Sequence, residues 1–220
     1  MTERSMLKRH SIRGFLPDEV DRSVLDEIVK TALLAPSWHN SQPCKIFVLS
    51  GKTKELVSKK MIEDANNGVP ISPDLPIPDH QEWPPEIAQR MKQHTITRMK
   101  YAGIERHEKD KRWEFQLKMY RFLDAPHVIF FGLDKIRHWS LLDVGFAMQN
   151  IMIAANAAGL GTCPQATAAF YPDRVREVLQ LDHDLKIIVG MAIGYPDDND
   201  RLNQYYADKV LPEETIAWYE

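Results

Sequence analysis

The sequence predicts an α+β domain on three observations. Two short, almost wholly apolar runs, residues 127–133 and 185–193, read as buried strands. Several longer stretches repeat apolar residues at helical spacing, and residues 141–158 are apolar nearly all round. The 220 residues show no internal repeat and no clean linker, so one domain with arms fits them, 1–220 as a unit.

In chain order, Arg9-His10-Ser11-Ile12-Arg13 comes first. If this segment is extended, Arg9, Ser11 and Arg13 share a side, presenting two guanidinium forks around a hydroxyl, a cradle for a small phosphorylated ligand. Val24, Leu25, Ile28, Val29, Ala32 and Leu33 then mark a helix with Asp21 as N-cap, and Pro36 makes Ala35 a poor helical residue. The cluster Ala35-Pro36-Ser37-Trp38-His39-Asn40-Ser41-Gln42-Pro43 therefore lies just past a helix end. Residues 45–50 read as a buried strand and 51–66 as a helix. Residues 67–85 are polar, proline-rich and aperiodic, and longer than most connections in compact domains. Two polar amphipathic helices follow at 87–101 and 109–123; the stretch 67–101 is a candidate lid.

The strand at 127–133 precedes the apolar helix at 141–158, which must be central; its small residues include Ala147. Gly159 suits a left-handed C-cap, and Gly161-Thr162-Cys163-Pro164-Gln165-Ala166 reads as the loop beyond it. A short helix at 173–179 leads to the strand at 185–193, ended by Gly194-Tyr195-Pro196. Residues 197–220 are too polar and irregular to pack on themselves, so they should lie on something else.

A net charge of −3 without a long basic run argues against nucleic acid as a partner. No apolar run approaches the roughly 20 residues that span a bilayer, and residues 1–6 lack a signal core, so no membrane partner and a cytoplasmic location are expected. Cys44 and Cys163 form no Cys-x-x-Cys pair, and the eight histidines show no ligand spacing, so no metal is expected. There is no nucleophile elbow, Walker loop or dinucleotide fingerprint. Each cluster also has an ordinary reading. Arg9 and Arg13 suit a solvated surface, Ser37, Asn40 and Gln42 suit a turn, and a helix ending in Gly then Pro usually binds nothing.

Taken in order, Arg-His-Ser-Ile-Arg-Gly-Phe, Ala-Pro-Ser-x-x-Asn-x-Gln-Pro, the stretch from Asp143 to Gln149, Gly-Leu-Gly-Thr-Cys-Pro-Gln and Gly194-Tyr195-Pro196-Asp197 resemble the FMN-dependent nitroreductase family, in its nitrobenzoate-reductase-like branch, over nearly the whole chain. The resemblance implies the nitroreductase-like fold, a central mixed, mostly antiparallel sheet surrounded by helices, in an intertwined homodimer holding FMN at the subunit interface. It implies that Arg9, His10, Ser11, Arg13 and Lys209 hold the phosphate and ribityl end. It places Pro36, Ser37, Trp38 and Asn40 on the same flavin from the other subunit. Cys163, Pro164, Gln165 and Ala166 fall by its ring, and residues 197–220 form an arm on the partner subunit.

The chemistry so implied is hydride transfer from NADH or NADPH to a small aromatic acceptor, nitroaromatic or quinone-like, by alternating use of one slot. The cofactor carries that chemistry, so the lack of an acid–base dyad is expected. No residue is singled out as a certain catalyst; His39 is the candidate proton donor. Trp38, His39 and Ala147 are assigned to the substrate pocket. Trp38-His39 replaces small residues common in the family, Cys44 stands at a usual tryptophan, Ala147 at a frequent phenylalanine, and Lys209 at a usual arginine. A reductive dehalogenase of the same fold, using Thr167, and a non-catalytic flavin-storage protein are the alternatives.

Overall fold

The computed structural model describes residues 9–220, apart from the side chain of His80. Residues 1–6, read above for a signal core, lie outside the described residues.

Four strands form one sheet in the order β1-β2-β4-β3: β1 is Lys45–Ser50, β2 His127–Leu133, β3 Gly161–Gln165 and β4 Lys186–Gly194. All neighbouring pairs are antiparallel, and the parallel component is an isolated bridge from Ser11 to Thr162. β2 is buried throughout and apolar beyond His127, because both its faces are covered. Ile129, Phe131 and Leu133 face a core shared with α1 (Arg22–Lys30) and α5 (His138–Ala157). Val128 and Phe130 face a second core with Val57 and Met61 of α2 (Gly51–Asn66) and Val175 of α6 (Pro172–Leu179). The alternation of a strand thus divides one run of sequence between two layers.

Four details differ from the sequence reading. β1 is an edge strand in which only Leu49 is buried, since among the described residues no strand pairs along its outer side. Residues 161–165 are the opposite edge strand and not a loop; an edge tolerates Pro164 because no ladder bond is asked of its nitrogen. The helix expected to reach 123 is α4, Lys109–Tyr120, because Phe122, Leu123 and Asp124 turn left-handed, with φ of 57°, 60° and 60°. Finally, α5 is central on one side only: Ile151 and Ala155 are buried, whereas Trp139, Leu142 and Phe146 line an exposed flank.

The excursion is tied down at its start. Tyr171 donates to the Val69 carbonyl at 3.0 Å, and the Ser72 N–H donates to Phe170 at 3.0 Å. Asp74 accepts from Arg176 at 2.5 Å and from the Ile187 N–H at 2.8 Å. Beyond it, α3 (Pro85–Tyr101) docks by placing His94 and Tyr101 beside the Tyr205 ring, at centroid separations of 5.5 and 5.3 Å.

The carboxy-terminal segment, expected to leave the body at 197, stays on it through Tyr205. Asn203 is the reason: its Oδ1 accepts the Arg13 and Gly14 N–H groups at 2.7 and 3.1 Å, and its Nδ2 donates to the Gly14 and Asp197 carbonyls at 2.7 and 2.8 Å. Past Tyr206 the chain is mostly exposed, through the one-turn helix α7 (Pro212–Thr215) to Trp218 and Tyr219, 87% and 94% exposed. No helix of the described residues is long and apolar enough to cross a membrane.

Candidate functional site

The amino-terminal segment is laid against the edge of β3. The Ile12 N–H donates to the Thr162 carbonyl at 3.0 Å, so Thr162 turns its backbone outward. Alternation then puts Pro164 on the same outer edge, and Ala166, exposed, just beyond it. Gly161 permits this approach: a Cβ there would lie 2.6 Å from Ile12 Cγ1.

Arg13 is only 9% exposed, and its Nη1 donates to the Ser11 carbonyl at 3.1 Å. Its charge acts on three side chains that the sequence reading did not single out: Arg98 and His94 of α3, and Tyr205. Arg98 stacks its guanidinium over Phe115, 5.8 Å from the ring centre, and its Nε is buried without a hydrogen-bond partner. Burial, then the charge of Arg13, pushes its pKa below the usual arginine value. His94 bonds the Tyr205 hydroxyl through Nδ1 at 2.8 Å, and its pKa is lowered by burial first and then by Arg98, Arg13 and Lys209. Burial raises the Cys163 thiol, and the positive charges of Arg13 and Arg98 pull the other way. Among the described residues neither arginine has an acidic partner within ion-pair distance. Two sheltered guanidiniums that repel each other are costly unless an anion joins them. The donor set therefore fits a ligand with anionic or carbonyl oxygens, as a phosphorylated flavin has.

Other residues assigned to the cofactor lie around this cluster. Arg9 and His10 line a hollow of about 430 Å³ with Ile12, Gly161 and Asn203; the His10 ring bonds the Asn203 carbonyl at 2.9 Å and lies 4.0 Å from the Tyr206 ring. Lys209 lines a second hollow of about 650 Å³, between α3 and the carboxy-terminal segment, with His94 and Tyr205. Gln165 is buried, donates to the Met119 carbonyl at 3.3 Å, and leaves its Oε1 buried without a partner.

The Trp38 loop belongs to a different surface. Its backbone is held where the Trp38 N–H donates to Asp143 Oδ1 at 3.1 Å, while Oδ2 of that buried carboxylate has no partner. The Trp38 ring stacks on Trp139 at 4.6 Å, with His39 edge-on at 4.8 Å. His39, Asn40 and Gln42 are left-handed, with φ of 48°, 57° and 45°. Such a run is strained, and strain of this kind collects at functional loops. Ser37 accepts the Gln42 N–H at 3.0 Å, and Pro36, Trp38, His39 and Asn40 are exposed. Cys44, beside this loop, has its pKa pushed up to about 11 by burial and the Asp143 charge, so it is no nucleophile. Ala147, assigned above to the substrate pocket, sits instead in the core at 3% exposure, because the inner face of α5 packs on the sheet.

The structure thus brings Arg13, Cys163 and Lys209 together around His94, Arg98 and Tyr205, and keeps the Trp38 loop on the flank of α5. A signal for the missed residues was present: His94, Arg98 and Tyr101 fall at i, i+4 and i+7, one face of a helix.

Three comparisons bear on this arrangement. The family model described as "Nitroreductase family" matches residues 6–195. The 4-nitrobenzoate reductase of Pseudomonas putida is 32% identical over 200 residues, 89% of this chain and 85% of that protein. The chloronitrobenzene nitroreductase of Comamonas testosteroni is 31% identical, covering 94% of this chain and 91% of its own. In structure, the FMN-dependent nitroreductase NfnB of Mycobacterium smegmatis, solved in complex with NADPH, superposes with a TM-score of 0.94 at 26% identity, covering 99% of this chain and 97% of that one.

Proposed function

Because this chain belongs to the nitroreductase family, in the nitrobenzoate-reductase-like branch, we propose that it cycles an enzyme-bound FMN between a nicotinamide and a nitroaromatic or quinone-like acceptor, one after the other in a single slot of a homodimer. It is an FMN-dependent NAD(P)H nitroreductase. FMN, when bound, would supply the hydride chemistry between NADH or NADPH and the acceptor.

The chain's own residues bind, orient and shield. Arg13 supplies a buried fork beside Ser11 and Cys163, with Arg9, His10 and Lys209 at the edges of the same region. Pro164 and Ala166 lie along the outer edge of β3, where the ring would sit, with Gln165 buried between them. Pro36, Ser37, Trp38 and Asn40 of the partner subunit complete the site, with Trp38 and His39 on the acceptor side; His39 or water delivers the proton. Among the described residues Leu33, Leu34, Trp139, Leu142 and Phe146 are exposed, large apolar side chains of the kind that protein partners bury. Asn150 ties the two segments that carry them together, donating to the Thr31 carbonyl at 3.0 Å.

The observation that carries the reading is the pairing of buried Arg13 with half-buried Arg98 near the β3 edge, uncompensated among the described residues, in a chain of this family. Two-substrate steady-state kinetics tests the cycle: alternate use of one slot gives parallel double-reciprocal lines for NADH or NADPH against a nitrobenzoate or a quinone. Intersecting lines, or no nicotinamide oxidation, would refute it.

A further inference from the structure

We propose that Arg98, carried by the excursion helix α3, is a ligand of the flavin, and that the bound flavin holds α3 against the body of the enzyme. The inference rests on the functional reading above and adds to it a residue, and a coupling, outside the amino-terminal cluster and the carboxy-terminal lysine.

Arg98 is sheltered, yet its surroundings offer little that would repay burial. Its guanidinium lies over the face of Phe115, 5.8 Å from the ring centre, a weak cation–π contact. Its Nε has no partner, and the neighbouring charge of Arg13 repels it. A long cationic side chain on a mostly exposed helix would ordinarily reach for water. Here the helix is instead docked by His94 and Tyr101 around Tyr205, which turns Arg98, on the same face, toward Cys163 of β3. Arg13, Arg98 and His94 converge where, among the described residues, no acidic side chain meets either arginine, and a bound anionic or carbonyl ligand suits the counter-group. A flavin presents two groups that suit a guanidinium: the phosphate and the carbonyl edge of its pyrimidine ring. The early excursion is fixed to the body by Asp74, whereas α3 rests on aromatic contacts and on whatever Arg98 binds. The ligand thereby becomes part of what holds α3 in place.

The test compares the unaltered protein with Arg98→Met, Arg98→Lys and, as a control on an exposed cation of the same helix, Lys100→Met. Apo-protein is titrated with FMN and with riboflavin by flavin fluorescence, and hydrogen exchange across residues 85–101 is followed with and without FMN. Arg98→Met is expected to weaken FMN binding at least tenfold, as loss of a charge-assisted hydrogen bond does. It is also expected to abolish the slowing of α3 exchange by FMN, with partial rescue in Arg98→Lys and no effect in Lys100→Met. Removing an uncompensated charge should leave the melting temperature of the apo-protein unchanged or raised, which a purely structural arginine would not do. Weakening confined to FMN places Arg98 on the phosphate, and equal weakening of riboflavin places it on the ring. FMN binding by Arg98→Met within twofold of the unaltered protein, or α3 exchange indifferent to FMN, overturns the inference alone. Failure of the unaltered protein to bind either flavin overturns the functional reading as well.

Discussion

The region around Arg13 and the region around Trp38 are unfinished in opposite ways. At Arg13 the chain has sheltered positive charge and left it unpaired; at Trp38 and along α5 it has exposed apolar rings and strained its backbone. The first deficit is electrostatic and of side-chain size, so a small anionic molecule answers it. The second is a set of exposed large apolar side chains, which another protein surface would answer. A flavin enzyme assembled from two chains satisfies both at once, and each region can be perturbed separately.

The largest effect is expected on the apolar side. Leu142→Glu combined with Phe146→Glu places two charges in a face that the proposed dimer would bury, at a cost of several kcal/mol. Sedimentation at micromolar protein should show monomer, with flavin lost as a consequence of dissociation. Retention of the dimer would detach α5 from the interface. On the charged side, Arg13→Met removes a fork while keeping the N–H that Asn203 binds. The expected loss is about 2–3 kcal/mol of FMN affinity, some 30- to 150-fold in a fluorescence titration, with the dimer intact.

A smaller effect is expected at Asp143→Ala, which leaves the Trp38 N–H without its acceptor. About 1–2 kcal/mol of stability should be lost, with tryptophan emission altered as the Trp38–Trp139 stack loosens, and little change in affinity for the flavin phosphate. The smallest effect lies in neither region and serves as a baseline. His127 is buried, accepts the Val20 N–H on Nε2 at 2.9 Å, and bonds Ser50 Oγ through Nδ1 at 2.6 Å; burial lowers its pKa. The unfolded chain therefore takes up the proton first as pH falls below about 6.5, and stability declines from there toward the lower folded pKa. Urea unfolding at pH 7.5 and 5.5 should show that decline, at most about 1.4 kcal/mol per pH unit from this group, and His127→Gln should flatten it.

What the sequence made legible follows the same division. β2 was readable as an almost wholly apolar run and α2 and α6 as local helical stretches, and the amino-terminal Arg-x-Ser-x-Arg spacing pointed to one wall of the proposed site. β3 was misread because Gly161 and Pro164 are loop-like by propensity; the first is demanded by the approach of Ile12 and the second is tolerated at a sheet edge. Arg98 was passed over, despite sharing a helix face with His94 and Tyr101, because a polar amphipathic helix looks solvated until Tyr205, 104 positions after Tyr101 in sequence, turns that face inward. Ala147 was misplaced for the converse reason: a helix apolar on all sides does not declare which side meets the sheet and which awaits a second chain.

The central claim is that one anionic flavin per chain and a second copy of the chain together complete the molecule. Sedimentation velocity recorded at the protein and flavin absorbances tests it in one run. The expected result is a single boundary at dimer mass carrying about one flavin per chain; a monomeric boundary that stays colourless in excess FMN would contradict it.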